Sequence, residues 1–148
     1  MPYGARMAEP GWILRCDGGS RGNPGPGALG FVLCDARGTE VEARGEFLGE
    51  VTNNVAEYRA LLAGLESALR HGADPLTVCM DSELVIRQMT GEYRVKHPGL
   101  KPLHADARVL ADRLAHVNFR AVPREENARA DRLVNETLDD ILGSESPR

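Results

Sequence analysis

The chain has 148 residues, 42% of them hydrophobic and 27% charged, which fits one globular domain and leaves no room for a second. Its formal net charge is −4, so the whole molecule does not attract a polyanion, and a nucleic-acid site would have to be built locally or with bound cations. No apolar run approaches the roughly 18 residues of a membrane helix, and residues 1–10 lack the apolar stretch of a signal peptide.

We predict a flexible N-terminal extension at residues 1–10, one domain over residues 11–142, and a flexible tail at residues 143–148. We expect a cytoplasmic protein without a membrane partner. Its three cysteines are odd in number and lack paired C-x-x-C spacing, so we interpret them as reduced strand residues. They are Cys16, Cys34 and Cys79.

Three strands open the predicted domain. The apolar run that starts at Trp12 predicts a strand that ends near Asp17, and the glycine-rich segment 18–27 is predicted to be a loop. Two β-prone runs follow at 28–34 and 41–48, with turn residues between them, which indicates a hairpin.

Helices and strands then alternate. A long amphipathic helix is predicted to begin at an N-cap at Thr52 or Asn53 and to stop at Gly72. Residues 76–80 predict a short buried strand, and Ser82 can cap a helix that ends before Gly91. The inward residues of the long helix are predicted to be Tyr58, Leu61, Leu62, Leu65, Ala68 and Leu69.

The last elements are a helix after Pro102, a strand over 117–122 and a final helix. The order β-β-β-α-β-α-α-β-α predicts an α/β fold with a mixed sheet, antiparallel where strands are consecutive and parallel where helices cross over. Ligands of such sheets collect at strand ends, where we place Asp17 and Asp81. The inward residues of the helix after Pro102 are predicted to be Leu103, Ala107, Leu110 and Leu114, and the final helix is marked by Ala130, Val134, Thr137 and Ile141.

Four acids are candidate site residues, although each has an ordinary alternative. Asp17 could accept hydrogen bonds from the glycine-rich loop, Glu57 could serve the dipole of its helix, Asp81 could be an N-cap, and Asp131 could be a solvated helix residue. Together, two strand ends and two helix starts could bring the four carboxylates to one point. Hard oxygen ligands in that number suit Mg²⁺ or Mn²⁺.

Five segments resemble the successive motifs of type 1 ribonuclease H, in the same order and over nearly the whole chain. This resemblance implies a ribonuclease H-like fold, with a five-stranded mixed sheet flanked by helices. It also implies endonucleolytic cleavage of the RNA strand of RNA/DNA hybrids, leaving 5′-phosphate and 3′-hydroxyl ends. The segments are 16–20 (CDGGS), 23–27 (NPGPG), 52–58 (TNNVAEY), 80–82 (MDS) and 126–131 (ENARAD).

The resemblance assigns roles to individual residues. Asp17, Glu57, Asp81 and Asp131 match the family's catalytic, metal-binding carboxylates, which bind two Mg²⁺ ions, with Mn²⁺ as the alternative. One ion would activate the attacking water and the other would stabilise the leaving 3′-oxygen. The expected substrate-binding residues are Gly18, Gly19, Ser20, Asn23, Asn53, Asn54, Ser82 and Asn127. From the residues alone, each Asn could equally be a turn or cap residue.

The chain departs from the family pattern in two places. Many members carry a His in a longer loop before the last acid. Here that loop is shorter and lacks it, so Arg124 is our candidate for a loop role, although it cannot act as a base. The long basic, Trp-rich protrusion is also missing, which leaves Lys96 and Lys101 as candidate hybrid contacts. We expect His97, His104 and His116 to be surface residues.

Two other functions remain open at this stage. The chain could be a non-catalytic domain that binds hybrids or RNA, although the presence of all four acids argues against this. It could also be another nuclease of the same fold, which an assay with all duplex types would separate. We expect an RNA/DNA hybrid as partner, no obligate protein partner and a monomer. The chain could also be one domain of a longer fusion protein.

Overall fold

The structure, a computed structural model, describes residues 11–143. The predictions for residues 1–10 and for residues 144–148 of the tail lie outside the described residues, while Gly143 caps the end of the last helix. The strands are β1 (Trp12–Ser20), β2 (Gly25–Cys34), β3 (Glu40–Val51), β4 (Leu76–Met80) and β5 (Val117–Ala121). The helices are α1 (Asn53–Arg70), α2 (Glu83–Met89), α3 (Lys101–Asp112) and α4 (Ala128–Leu142), with a 3-10 turn at Arg124–Asn127.

The five strands form one mixed sheet in the order β3-β2-β1-β4-β5. The β1–β2 and β2–β3 pairs are antiparallel, whereas the β1–β4 and β4–β5 pairs are parallel. Parallel neighbours require crossover connections, which α1 supplies before β4, and α2 and α3 supply before β5. The predicted α/β fold and its element order are confirmed.

Side chains alternate between the two faces of β2, so helices cover both faces of the sheet. Leu29 and Phe31 belong to the large core beneath α1, α2 and α3, whereas Ala28 packs with Val134 and Leu138 of α4 on the other face. No helix within residues 11–143 is long and apolar enough to span a membrane.

The glycine-rich segment is not the loop that we predicted. Strand β1 continues through Asp17 to Ser20, and β2 begins at Gly25, so only four residues connect them. Asp17 therefore lies inside a strand, paired with Gly30, rather than at the strand's end. The physical reason is tight packing: a Cβ on Gly18 would overlap the main chain of Ala56 in α1. Glycine serves here to bring a helix close to a strand rather than to form a turn.

The predicted last helix is confirmed; its inward stripe runs through Val134, Leu138 and Leu142, whereas Ile141 is 42% exposed. One smaller prediction is wrong. His104 is not the freely exposed residue that we expected: it is half-buried, packs edge-on against Tyr58, and its Nε2 lies 3.1 Å from the main-chain oxygen of Gln88. The N-caps at Thr52 and Ser82 are confirmed, since each side chain accepts a hydrogen bond from the main chain three residues on.

Candidate active site

The four candidate acids line a single open pocket of about 270 Å³. Asp17 lies in β1 and Asp81 directly follows β4, the parallel neighbour of β1, so the two face the same edge of the sheet. Glu57 lies in the second turn of α1 and Asp131 in the first turn of α4, so one acid comes from a helix on each face of the sheet.

Asp17 is the most buried acid of the pocket, with 9% of its surface exposed. Burial, together with the negative charges of Asp81, Asp131 and Glu57, raises the pKa of this carboxyl to about 8. A cation bound in the pocket would oppose both effects, because its positive charge would stabilise the ionised carboxylates. The pocket is therefore electrostatically suited to a cation.

Glu57 is affected by the same surroundings. Its pKa is raised to about 7, mainly by burial and also by the charge of Asp81, while a hydrogen bond with Ser82 acts in the opposite direction. The Ser82 hydroxyl oxygen also accepts a hydrogen bond from the main-chain nitrogen of Val85 at 3.2 Å, as the N-cap of α2. Ser82 thus links the start of α2 to the acid of α1.

Main-chain groups form a second wall of the pocket. Gly18, Gly19, Ser20 and Asn53, four of the predicted substrate contacts, line it. The Asn53 side-chain oxygen accepts hydrogen bonds from the main-chain nitrogen of Ser20 at 2.8 Å and from its hydroxyl at 3.1 Å. The Asn23 side-chain oxygen accepts one from the main-chain nitrogen of Asn53 at 3.0 Å. These amide groups hold the loop after β1 against the start of α1.

Four of the predicted substrate contacts do not line this pocket. Asn23 and Asn54 are exposed beside it, and Ser82 forms a hydrogen bond with Glu57. Asn127 also differs from the prediction. Its side chain is fully buried and donates hydrogen bonds to the main-chain oxygen of Cys16 and to Asp81. A substrate contact by Asn127 is therefore wrong for this structure, because no surface of the side chain is exposed.

Arg124 lines the pocket, and its side chain is 76% exposed. One of its guanidinium nitrogens lies 3.7 Å from a carboxylate oxygen of Asp131. The structure thus brings the residue that we proposed for the shortened loop to the acid nearest that loop. Because solvent weakens an exposed ion pair, this pair contributes little to the stability of the fold.

Sequence reasoning missed Arg21 and Asn135, which also line the pocket. The Arg21 guanidinium lies 2.8 Å from a carboxylate oxygen of Asp139 and donates to the side-chain oxygen of Asn135 at 3.3 Å. Asn135 follows Asp131 by one helical turn, so the spacing of four residues could have identified it. Nothing local marked Arg21, since its partners are more than 100 residues away.

The pocket does not form a closed metal cage. Within residues 11–143, no three His, Cys, Asp or Glu side chains already lie close enough to hold an ion among themselves. Mg²⁺ does not require such a cage, because it usually binds a few carboxylates and completes its coordination with waters and substrate phosphates. The donor set fits that behaviour, since it consists of carboxylate oxygens that open onto solvent.

Comparisons with known proteins agree with this geometry. Residues 15–137 match the family model described as "Reverse transcriptase-like". The chain is 47% identical over 128 residues to the "Bifunctional protein Rv2228c" of Mycobacterium tuberculosis, covering 86% of this chain but only 35% of that relative. It thus spans about a third of that relative's length. It is 33% identical over 144 residues to the "Ribonuclease H" of Hydrogenovibrio crunogenus, covering 88% of this chain and 97% of that protein.

Two solved structures resemble the chain closely. The N-terminal RNase H domain of rv2228c from Mycobacterium tuberculosis superposes with a TM-score of 0.87 at 44% identity, covering 91% of this chain and 98% of that one. LC11-RNase H1, solved in complex with RNA/DNA hybrid, gives a TM-score of 0.84 at 43% identity, covering 88% and 99%.

The sheet order and the flanking helices define the class of ribonuclease H-like folds. Within that class, the match to a ribonuclease H over nearly the full length of both chains decides the family. The chain belongs to the type 1 ribonuclease H family.

Proposed function

We propose that this chain is a metal-dependent endonuclease that hydrolyses the RNA strand of an RNA/DNA hybrid. The observation that carries the proposal is the single pocket lined by Asp17, Glu57, Asp81 and Asp131. The family supports the substrate, because the related LC11-RNase H1 was solved with an RNA/DNA hybrid bound.

Asp17, Glu57, Asp81 and Asp131 would hold two Mg²⁺ ions, or Mn²⁺ in their place, as catalytic ligands. When bound, such a pair of ions supplies an activated water and stabilises the charge that develops on the leaving oxygen. The chain's own contribution is to hold the carboxylates. Asp17 is held inside the sheet, and Ser82 holds Glu57 through a hydrogen bond.

No covalent intermediate with the protein is required, because a water can attack the phosphate directly. None of the four pocket acids is paired with a Ser–His or Cys–His arrangement of the kind that forms such intermediates. Attack on the phosphate with departure of the 3′-oxygen leaves a 5′-phosphate and a 3′-hydroxyl. These are the product ends that we expect.

Recognition of the RNA strand depends on its 2′-hydroxyl groups, which the wide minor groove of an A-like duplex displays. The main chain at Gly18, Gly19 and Ser20 can approach a sugar closely, since little side chain intervenes. Asn53 fixes this segment, and Asn23 and Asn54 stand exposed beside it. We assign these residues to contact with the hybrid.

Contact with the DNA strand of the hybrid requires positively charged residues outside the acidic pocket. Exposed Arg94 and Lys96 lie with Tyr93 around an open hollow next to α2, and Lys101 is exposed at the start of α3. This short basic stretch is our candidate for contacts that the missing protrusion supplies in other members. Phosphate contacts of this kind weaken as salt rises.

The test is a cleavage assay on RNA/DNA, RNA/RNA and DNA/DNA duplexes of one sequence, with Mg²⁺, Mn²⁺ or EDTA, and with end analysis of the products. We expect metal-dependent cutting confined to the RNA strand of the hybrid. Tight binding of the hybrid without cutting would instead identify a binding domain, and cutting of DNA/DNA would identify another nuclease of this fold. The cytoplasmic location, the monomeric state and the domain bounds at 11–142 stay predictions.

A further inference from the structure

The β1–β4 ladder stops just before the two strands reach the acidic pocket. Its last pair is Arg15 with Cys79, so the next residues on each strand are no longer joined by the parallel ladder. Asp17 and Asp81 lie two residues beyond that last pair. The distance between Asp17 and Asp81 must therefore be set by contacts other than β1–β4 pairing.

The Asn127 side chain occupies this position. Its amide nitrogen donates to the main-chain oxygen of Cys16 at 2.8 Å and to a carboxylate oxygen of Asp81 at 3.2 Å. Cys16 directly precedes Asp17 in β1, so a single NH₂ group connects the backbone next to one acid with the carboxylate of another. Both partners are acceptor oxygens, which only the NH₂ end of the amide can satisfy.

Asn127 lacks two hydrogen bonds that an Asn at this position usually makes. It stands at the N-cap of α4, a position where Asn commonly caps its own helix, yet its side chain makes no capping hydrogen bond. Its side-chain oxygen is buried without a hydrogen-bond partner among the described residues. An unpaired buried acceptor is destabilising, so folding alone does not explain this arrangement.

The turn that carries Asn127 is also fixed to β1 by its neighbour. The Arg15 guanidinium Nε donates to the main-chain oxygen of Glu126 at 3.2 Å. Because Asp131 lies four residues after Asn127, the same turn connects the start of α4 to β1 and to Asp81.

We propose that Asn127 is a positioning residue that fixes the Asp81 carboxylate relative to β1 and so sets the spacing of Asp81 and Asp17 in the pocket. This inference rests on the proposed function, since the spacing matters only if the acids bind metal together. Side chains that orient metal ligands from behind typically contribute about 10- to 100-fold in metal affinity or activity.

The first test compares Asn127→Asp, which keeps the shape but removes the NH₂ donor, with Asn127→Ala. We expect kcat to fall about 10- to 100-fold, while KM for the hybrid changes less than about twofold, because the contact surface at Gly18–Ser20 and Asn53 is unaltered. Ser67→Ala is the matched control. Ser67 is also fully buried, and the change removes its side-chain hydrogen bond to Glu42 outside the pocket, so it should lower Tm without lowering kcat. Equal kcat values for the Asn127 variants and the parent would overturn the proposal.

The second test asks whether Asn127 acts through Asp81, with metal binding as the readout. Mn²⁺ affinity, from titration without substrate, is measured for the parent, Asn127→Ala, Asp81→Asn and the double variant. We expect Asn127→Ala to weaken binding in the parent but not in the Asp81→Asn background. Equal weakening in both backgrounds would show that Asn127 does not act through Asp81.

A third measurement leaves Asn127 unchanged, in case its variants do not fold. In ¹⁵N-resolved NMR spectra, the two side-chain amide protons of Asn127 should exchange slowly, and their signals should move when Asp81 is changed to Asn. Unmoved signals would overturn the proposal. A parent chain that neither cleaves hybrid nor binds Mn²⁺ would instead refute the proposed function, whatever the NMR result.

Discussion

Gly18 packs directly against the main chain of Ala56, so strand β1 and helix α1 touch at a point adjacent to two acids of the pocket. Asp17 precedes Gly18, and Glu57 follows Ala56. A contact this close requires a residue without a Cβ. It brings the carboxylate of a strand and the carboxylate of a helix into one pocket.

Changing Gly18 to Ala should therefore destabilise the protein. The added Cβ would overlap main-chain atoms of Ala56 and Glu57, which cannot rotate away, so we expect a loss of about 3 kcal/mol or more, measured as Tm by circular dichroism. Gly19→Ala is the matched control, because the nearest atoms to its Cβ would be 3.9 Å away. If both variants melt at the same temperature, close packing is not the reason for Gly18.

Changing Asp17 to Asn should abolish cleavage while raising Tm in EDTA at pH 7. The folded-state pKa of Asp17, about 8, exceeds its unfolded value of about 3.9. Its charged form therefore disfavours folding, and this cost grows as pH rises from 4 to 8. The Tm advantage of Asp17→Asn should shrink toward pH 4. Exposed Asp140→Asn, with the same change in charge, is the control. An Asp17→Asn variant with near-parent activity would remove Asp17 from the site.

Arg124 lines the pocket, and we propose that its guanidinium contacts a phosphate of the bound hybrid there. Changing Arg124 to Ala should then lower kcat about tenfold, because a charge-assisted contact of this kind is worth roughly 1.5 kcal/mol or more. Tm should not change, since the side chain is 76% exposed. Arg132→Ala removes a nearby exposed arginine of α4 and serves as the control. Steady-state kinetics at fixed salt provide the measurement. Identical losses in both variants would point to general electrostatics rather than to a role at this position.

Changing Glu42 to Gln should lower Tm at neutral pH but leave cleavage unaffected. Glu42 accepts hydrogen bonds from the buried Ser67 hydroxyl and from Arg70, and these bonds lower its pKa to about 2. The stabilisation by the charged form is present above the unfolded pKa, near 4.3, and is lost as pH falls toward 2.

Melting curves of the parent and Glu42→Gln between pH 2 and 7 test this, with the exposed Glu46→Gln of the same strand as control. The difference in Tm between parent and Glu42→Gln should narrow below pH 4. A difference in Tm that stays constant from pH 2 to 7 would mean that the charge of Glu42 does not contribute to stability.

The sequence by itself determined the elements and the four acids. Helical and strand periodicity located every strand and helix in order, because these patterns depend on neighbours within a few residues. The order of the motifs was also enough to select Asp17, Glu57, Asp81 and Asp131, which the pocket then brought together.

Only the tertiary structure decided how that pocket is held. The glycine-rich segment looked like a loop because its neighbours in sequence favour turns, whereas Gly18 is required by contact with Ala56 in another element. Asn127 looked like a substrate contact, but its hydrogen bond to Cys16 joins residues 111 positions apart. Arg21 gave no local signal at all. Partners so distant in sequence are chosen by strand pairing and helix packing, so local patterns cannot identify them.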